Sequence, residues 1–222
     1  MKNIAISKGN IVKHGLNLNY RSAIVLSAIN HIFQNKSFSP FECITDENGV
    51  WFGCSNNQII DEVPILKLQK VSCRKIVNNL IDLGFIERHL DSQKLSKTFI
   101  KPSQNFKLYF ENDKNEIVIN QNETYYFDRR LNPLHWFLLD AIDKKVKREF
   151  ILNFTFVSET EILKSLFSVI NSRTIYLKTL KELINFGYIE RTKNFVTQRD
   201  FYYKAGAKFL EYKELKNKER DF

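Results

Sequence analysis

The chain has 222 residues, with 34 Lys and Arg against 25 Asp and Glu, a net charge of +9 at pH 7. Hydrophobic residues make up 43%, including 19 Phe and 9 Tyr, enough for a packed core and too many for a generally disordered chain. No apolar run approaches the ~18 residues of a membrane span, and Met1-Lys2-Asn3-Ile4-Ala5 leads into no long apolar stretch, so neither a transmembrane helix nor a secretory signal is expected. Cys43, Cys54 and Cys73 are odd in number and contain no CxxC pair, which suits reduced thiols in a cytoplasmic protein.

Self-comparison reveals two copies of one pattern. At an offset of 103 residues, Leu80–Arg88 lies on Leu183–Arg191 with six of nine positions identical. At the same offset Lys75 meets Lys178, Ile59 meets Ile162 and Ser55 meets Ser158. Upstream the offset becomes 113, where Ile24–Asn30 lies on Phe137–Asp143. The first copy therefore holds ten extra residues, expected around Phe41–Gly49.

In chain order, Tyr20–Phe33 is apolar-periodic and predicts a first helix. Val50–Cys54 predicts a short strand, and Ser55 caps a second helix. A third helix is expected over Lys70–Leu83, ended by Gly84 in the left-handed conformation. Strands Phe85–His89 and Thr98–Lys101 flank a polar loop, Leu90–Lys97. Phe106–Phe110 and Glu116–Asn120 alternate around Asn112-Asp113-Lys114-Asn115 and predict a hairpin in a connector. The second copy repeats the order: helix Pro133–Lys144 with Asn132 as its cap, and strand Phe150–Val157. A second helix follows, with a Ser158/Glu161 capping box, and then a third helix, Arg173–Phe186, ended by Gly187. Strands Tyr188–Thr192 and Asp200–Tyr203 flank the loop Lys193–Arg199, and Lys208–Arg220 predicts a charged closing helix. Trp51, Phe52, Trp136, Phe137 and Phe154 are expected in the core.

Helix, strand, helix, turn, helix and two-stranded hairpin is the order of a winged helix. The passage from helix through Gly, aromatic, Ile, Glu and Arg resembles the end of the recognition helix and start of the wing in many bacterial winged-helix proteins. The expected fold class is α+β, two tandem winged helix-turn-helix domains related by internal duplication. They would span 1–110 and 131–222, the second including the closing helix, with a connector at 111–130.

Charge placement points to a partner. Lys67–Lys101 holds eight Lys and Arg against three Asp and Glu, and Lys164–Lys204 holds eight against three. The remaining residues carry 18 against 19, so the whole surplus sits on the two helix-plus-hairpin segments. One charged helix alone is equally an ordinary solvated face; two matched basic segments suit the phosphates of duplex DNA. Candidate DNA-binding residues of the first copy are Lys67, Lys70, Ser72, Arg74, Lys75 and Asn78 on the third helix and its approach, with His89, Lys94 and Lys97 in the wing. Those of the second are Arg173, Thr174, Lys178 and Lys181, with Lys193, Gln198 and Arg199 in the wing. Ser72 and Arg74 are matched by Ile175 and Leu177, so the second helix offers fewer base-reading groups.

No catalytic residues, metal or cofactor are expected. GxxxxGK, GxGxxG, HExxH and GxSxG are missing from the sequence, and no Cys/His cluster has zinc spacing. Tyr125-Tyr126 and Tyr202-Tyr203 suggest the tyrosine pairs of nicking enzymes, but His14, His31, His89 and His135 are scattered and form no His-x-His site.

Two winged helices with the N-terminal runs Ile6–Val12 and Leu16–Tyr20 resemble the replication initiator (Rep) proteins of plasmids and phages, whose duplicated domains bind repeated origin sequences. The resemblance implies a sequence-specific initiator, with the recognition role falling on Lys70–Asn78 and Arg173–Lys181. It leaves open a homodimer and contacts to replisome proteins, and implies no membrane partner. A transcription regulator and a winged-helix assembly subunit are the alternatives; the latter are usually acidic, unlike this chain.

Overall fold

The computed structural model describes residues 3–35, 43–89, 98–111, 116–121, 127–152, 154–166, 170, 172–193 and 201–218. Leu90–Lys97, Asn112–Asn115, Tyr125-Tyr126 and residues 194–200 lie outside them. The protein is α+β and divides into two units, Met1–Tyr126 and Phe127–Phe222; the expected connector is shared between them.

In the first unit, β1 (Asn3–Ser7) and α1 (Lys8–Lys13) precede the long α2 (Tyr20–Asn35). Asn19 Oδ1 accepts the Ser22 N–H at 3.0 Å, satisfying one of the free donors of the first turn of α2. Every residue from Ser22 to Ile29 is buried, so α2 is the central helix. The Ser27 hydroxyl, 2.7 Å from the Ala5 carbonyl, ties α2 to β1. Next come β2 (Cys43–Asp46), β3 (Gly49–Cys54) and α3 (Asn56–Glu62). Ser55 and Gln58 form a reciprocal capping box at the start of α3. A short 3-10 turn, Pro64–Leu66, leads to α4 (Lys70–Asp82), then β4 (Ile86–Arg88), β5 (Thr98–Pro102), α5 (Gln104–Tyr109) and β6 (Glu116–Asn120). One sheet has the order β2-β3-β5-β4, and β1 pairs with β6.

The second unit runs α6 (Pro133–Leu152), β7 (Thr155–Phe156), α7 (Glu159–Leu166), α8 (Arg173–Asn185), β8 (Ile189–Lys193), β9 (Phe201–Ala205) and α9 (Ala207–Lys218), with sheet order β7-β9-β8. Asn132 Oδ1 accepts the Leu134 N–H at 2.9 Å. The Glu161 N–H reaches Ser158 Oγ at 3.4 Å.

The 103-residue offset holds at the level of single hydrogen bonds. Glu87 pairs with Lys101 in the first unit and Glu190 with Lys204 in the second. Phe52 pairs with Ile100, and Thr155 with Tyr203. Gly84 has φ +69° and Gly187 φ +81°, the left-handed region open to glycine without a Cβ penalty. The Phe85 N–H donates to the Leu80 carbonyl and the Tyr188 N–H to the Leu183 carbonyl, each at 2.9 Å, closing α4 and α8 with the same motif. β2 and its turn into β3 fall within Phe41–Gly49, where the ten extra residues are expected.

Four expectations are corrected. Phe106–Phe110 forms no hairpin strand: Gln104–Tyr109 is helical, burying Phe106 and Tyr109 at helical spacing. Its former partner β6 pairs along its whole length with β1, Ala5 opposite Val118. The strand expected over Phe150–Val157 is only Thr155–Phe156, because α6 continues to Leu152; a short apolar run fits either a buried strand or a helix. Phe154 is 43% exposed rather than core. Its equivalent Trp51 is 6% exposed, with Lys101 over its ring, the His89 ring against it, and its Nε1 donating to Asp46 Oδ1 at 2.9 Å.

In the second unit Asp128 accepts the Arg130 backbone N–H at 3.0 Å, the Arg130 guanidinium, and the Tyr188 hydroxyl at 3.1 Å. The Arg130 guanidinium, with its own backbone N–H and Tyr188, holds the Asp128 carboxyl well below the usual carboxylate range. A carboxylate whose folded pKa is depressed stabilises fully above its unfolded pKa, about 3.9, and loses that contribution as pH falls through the folded value. Asp128→Asn is therefore expected to lower the urea midpoint at pH 7. The gap to the parent should narrow below about pH 4; a gap constant from pH 7 to pH 2 would contradict this role.

Candidate nucleic-acid interface

The inner face of α4 is set by Cys73, Val77 and Leu80, all at most 5% exposed. Burial pushes the Cys73 thiol up to about 11, so it is no nucleophile near neutral pH. With that face inward, Lys67, Lys70, Arg74 and Lys75 are exposed, while Ser72 and Asn78 are half-buried. Lys67 stands at φ +49° in the turn before α4. Among the described residues Lys70, Arg74 and Lys75 make no ion pair, so their charge is available to a polyanion. Asn78 is engaged: Arg88 Nη2 of β4 donates to its Oδ1 at 2.7 Å. The strand pair thereby braces α4 through Asn78.

The inner face of α8 is Tyr176, Thr179, Leu180 and Leu183, all at most 4% exposed. Arg173, Thr174, Lys178 and Lys181 are exposed, and Ile175 and Leu177 lie among them at 40% and 44% exposure. Lys178 and Lys181 make no ion pair among the described residues. Arg173 does: its Nε lies 2.5 Å from Glu159 Oε1 at the start of α7. The inner face also carries a polar tie, since buried His135 at the start of α6 meets Glu182 at 2.9 Å while its Nδ1 accepts the Asn132 N–H. Desolvation lowers the His135 pKa against the opposing pull of Glu182, so the ring is neutral with its proton on Nε2, facing the carboxylate.

The residues expected in the wings divide. Lys193 is exposed at the end of β8. His89 turns inward, with Nε2 3.3 Å from Asp46 Oδ2 and its ring edge-on to Trp51 at 5.2 Å. It lines a pocket of about 360 Å³ with Asp46, Asn48, Glu87 and Lys101, and is not placed as an outward contact. Lys94, Lys97, Gln198 and Arg199 lie outside the described residues. Sequence reasoning missed Arg88 as the brace of Asn78, Lys101 stacked 4.4 Å over Trp51, and Arg191 stacked 4.5 Å over Phe201. Arg88 and Arg191 were signalled by their matched place in the repeat; their contacts are tertiary.

Chemically, each unit presents a three-turn helix with one apolar face inward and cations outward, followed by an antiparallel strand pair. Exposed Lys and Arg at helical spacing bind phosphate oxygens, and Arg and Asn side chains can form paired hydrogen bonds to guanine and adenine edges. Among the described residues no group of three or more His, Cys, Asp or Glu could hold a metal ion, and no helix is long and apolar enough to cross a membrane. Comparison with protein-family models found no match, and comparison with curated proteins found none either.

Proposed function

We propose that the chain is a sequence-specific double-stranded DNA-binding protein made of two tandem winged helices that arose by duplication, serving as a replication initiator of a plasmid or phage. The observation that carries the DNA-binding part is the matched pair α4 and α8, each closed by the same glycine motif. Each carries at least two exposed cations with no intrachain ion pair among the described residues. The initiator role rests on the resemblance of the sequence pattern. Sequencing the duplexes that the protein selects from a random pool tests it. Arrays of direct repeats are expected; a single promoter-like palindrome would favour a transcription regulator, and no selection at all would remove the DNA-binding assignment.

The two helices read DNA unequally on this proposal. Arg74→Ala is expected to relax discrimination at one base pair by about 1–3 kcal/mol. Leu177, at the matching position, offers only a contact to a thymine methyl. Leu177→Ala should have a smaller effect and leave the oligomeric state unchanged in sedimentation. Conversion of a dimer to a monomer would make that face of α8 a protein interface instead.

A further inference from the structure

We propose, resting on the DNA-binding assignment above, that Glu159 is an affinity-setting residue: it holds Arg173 away from phosphate and makes the second unit the weaker DNA-binding half. Arg173 opens α8 and is 72% exposed, placed as a first-turn phosphate contact would be. Its guanidinium meets Glu159 twice, Nε to Oε1 at 2.5 Å and Nη2 to Oε2 at 3.4 Å. The carboxylate neutralises the cation and also repels a phosphate approaching it.

The repeat supplies the internal comparison. At the 103-residue offset Arg173 corresponds to Lys70 and Glu159 to Asn56. The first turn of α3 contains no acidic residue, whereas that of α7 contains Glu159 and Glu161. Glu161 in turn pairs with Lys145 at 3.1 Å, while its equivalent is the uncharged Gln58 that completes the capping box. Two carboxylates at the start of α7 therefore each take up a cation, and the first unit has no counterpart to either. Both carboxylates also favour the N-terminal end of the α7 dipole, so they cost the fold nothing. An exposed pair of this kind contributes little to stability, so its main effect falls on the charge offered to a ligand.

The test is a fluorescence-anisotropy titration of the full chain with a selected duplex across a salt series, for the parent, Glu159→Gln, Arg173→Ala, the double variant and Asn56→Glu. Glu159→Gln is expected to tighten binding several-fold at low salt and to steepen the slope of log K against log salt by roughly 0.9, one added phosphate contact. The double variant should lose that gain, and Asn56→Glu, at the position matching Glu159, should weaken binding. Unchanged affinity and slope in Glu159→Gln, or a gain that survives Arg173→Ala, would overturn the role of Glu159 while leaving DNA binding intact. Failure of the parent to bind any duplex at low salt would instead remove the assignment on which it rests.

Discussion

A fragment ending at Phe110 is expected to lose the fold of the first unit, whereas one ending at Tyr126 should keep it. The difference is β6, whose five residues pair with all five of β1. Ile4 and Ile6 in β1 are fully buried, and β1 in turn packs on α2 through Ala5 and Ser27. Removing β6 frees one edge of β1 and the apolar side chains beside it. Each buried Ile contributes roughly 1.5–3 kcal/mol, against a total stability of about 5–15 kcal/mol for a domain. Buried Asn10 depends on the same region, since its Nδ2 donates to the carbonyls of Tyr109 and Glu111 at 3.1 and 2.7 Å. Thermal melts followed by circular dichroism should show a cooperative transition for 1–126 and none for 1–110. Equal midpoints for the two fragments would show that β6 is dispensable.

Replacing Lys70, Arg74 and Lys75 together by Ala is expected to weaken duplex binding on the order of 100-fold at moderate salt and to flatten the salt slope by up to about 2.7, roughly 0.9 per phosphate contact. These three side chains are exposed and make no ion pair among the described residues, so the melting temperature should hold. That combination separates a binding role from a structural one. A triple variant that folds normally and binds with an unaltered slope would show that α4 does not touch DNA.

The parts legible in the sequence were those with a local cause. Gly84 and Gly187 announced the ends of α4 and α8 because only glycine enters the left-handed region freely, and the apolar spacing of Cys73, Val77 and Leu80 oriented α4. What escaped was non-local or ambiguous. Ile4 and Ile6 of β1 match Ile117 and Ile119 of β6 at the 113-residue offset, yet nothing local shows that the two strands pair with each other. α5 and α9 continue the 103-residue repeat, Phe106 matching Phe209 and Tyr109 matching Tyr212. The short run Phe106–Phe110 reads as strand when taken alone, and only its place in the repeat identifies it. The engagement of His89 by Asp46 and of Arg173 by Glu159 is set by tertiary placement, which residue type and spacing do not encode.

On this proposal both third helices contact duplex DNA, and hydroxyl-radical footprinting of a selected site tests it most directly. Two protected segments are expected for the parent. The Lys70, Arg74 and Lys75 triple variant should lose one of them, and a Lys178→Ala, Lys181→Ala variant should lose the other. A single protected segment, or two segments that fade together under either set of substitutions, would contradict the claim that each unit reads its own stretch of DNA.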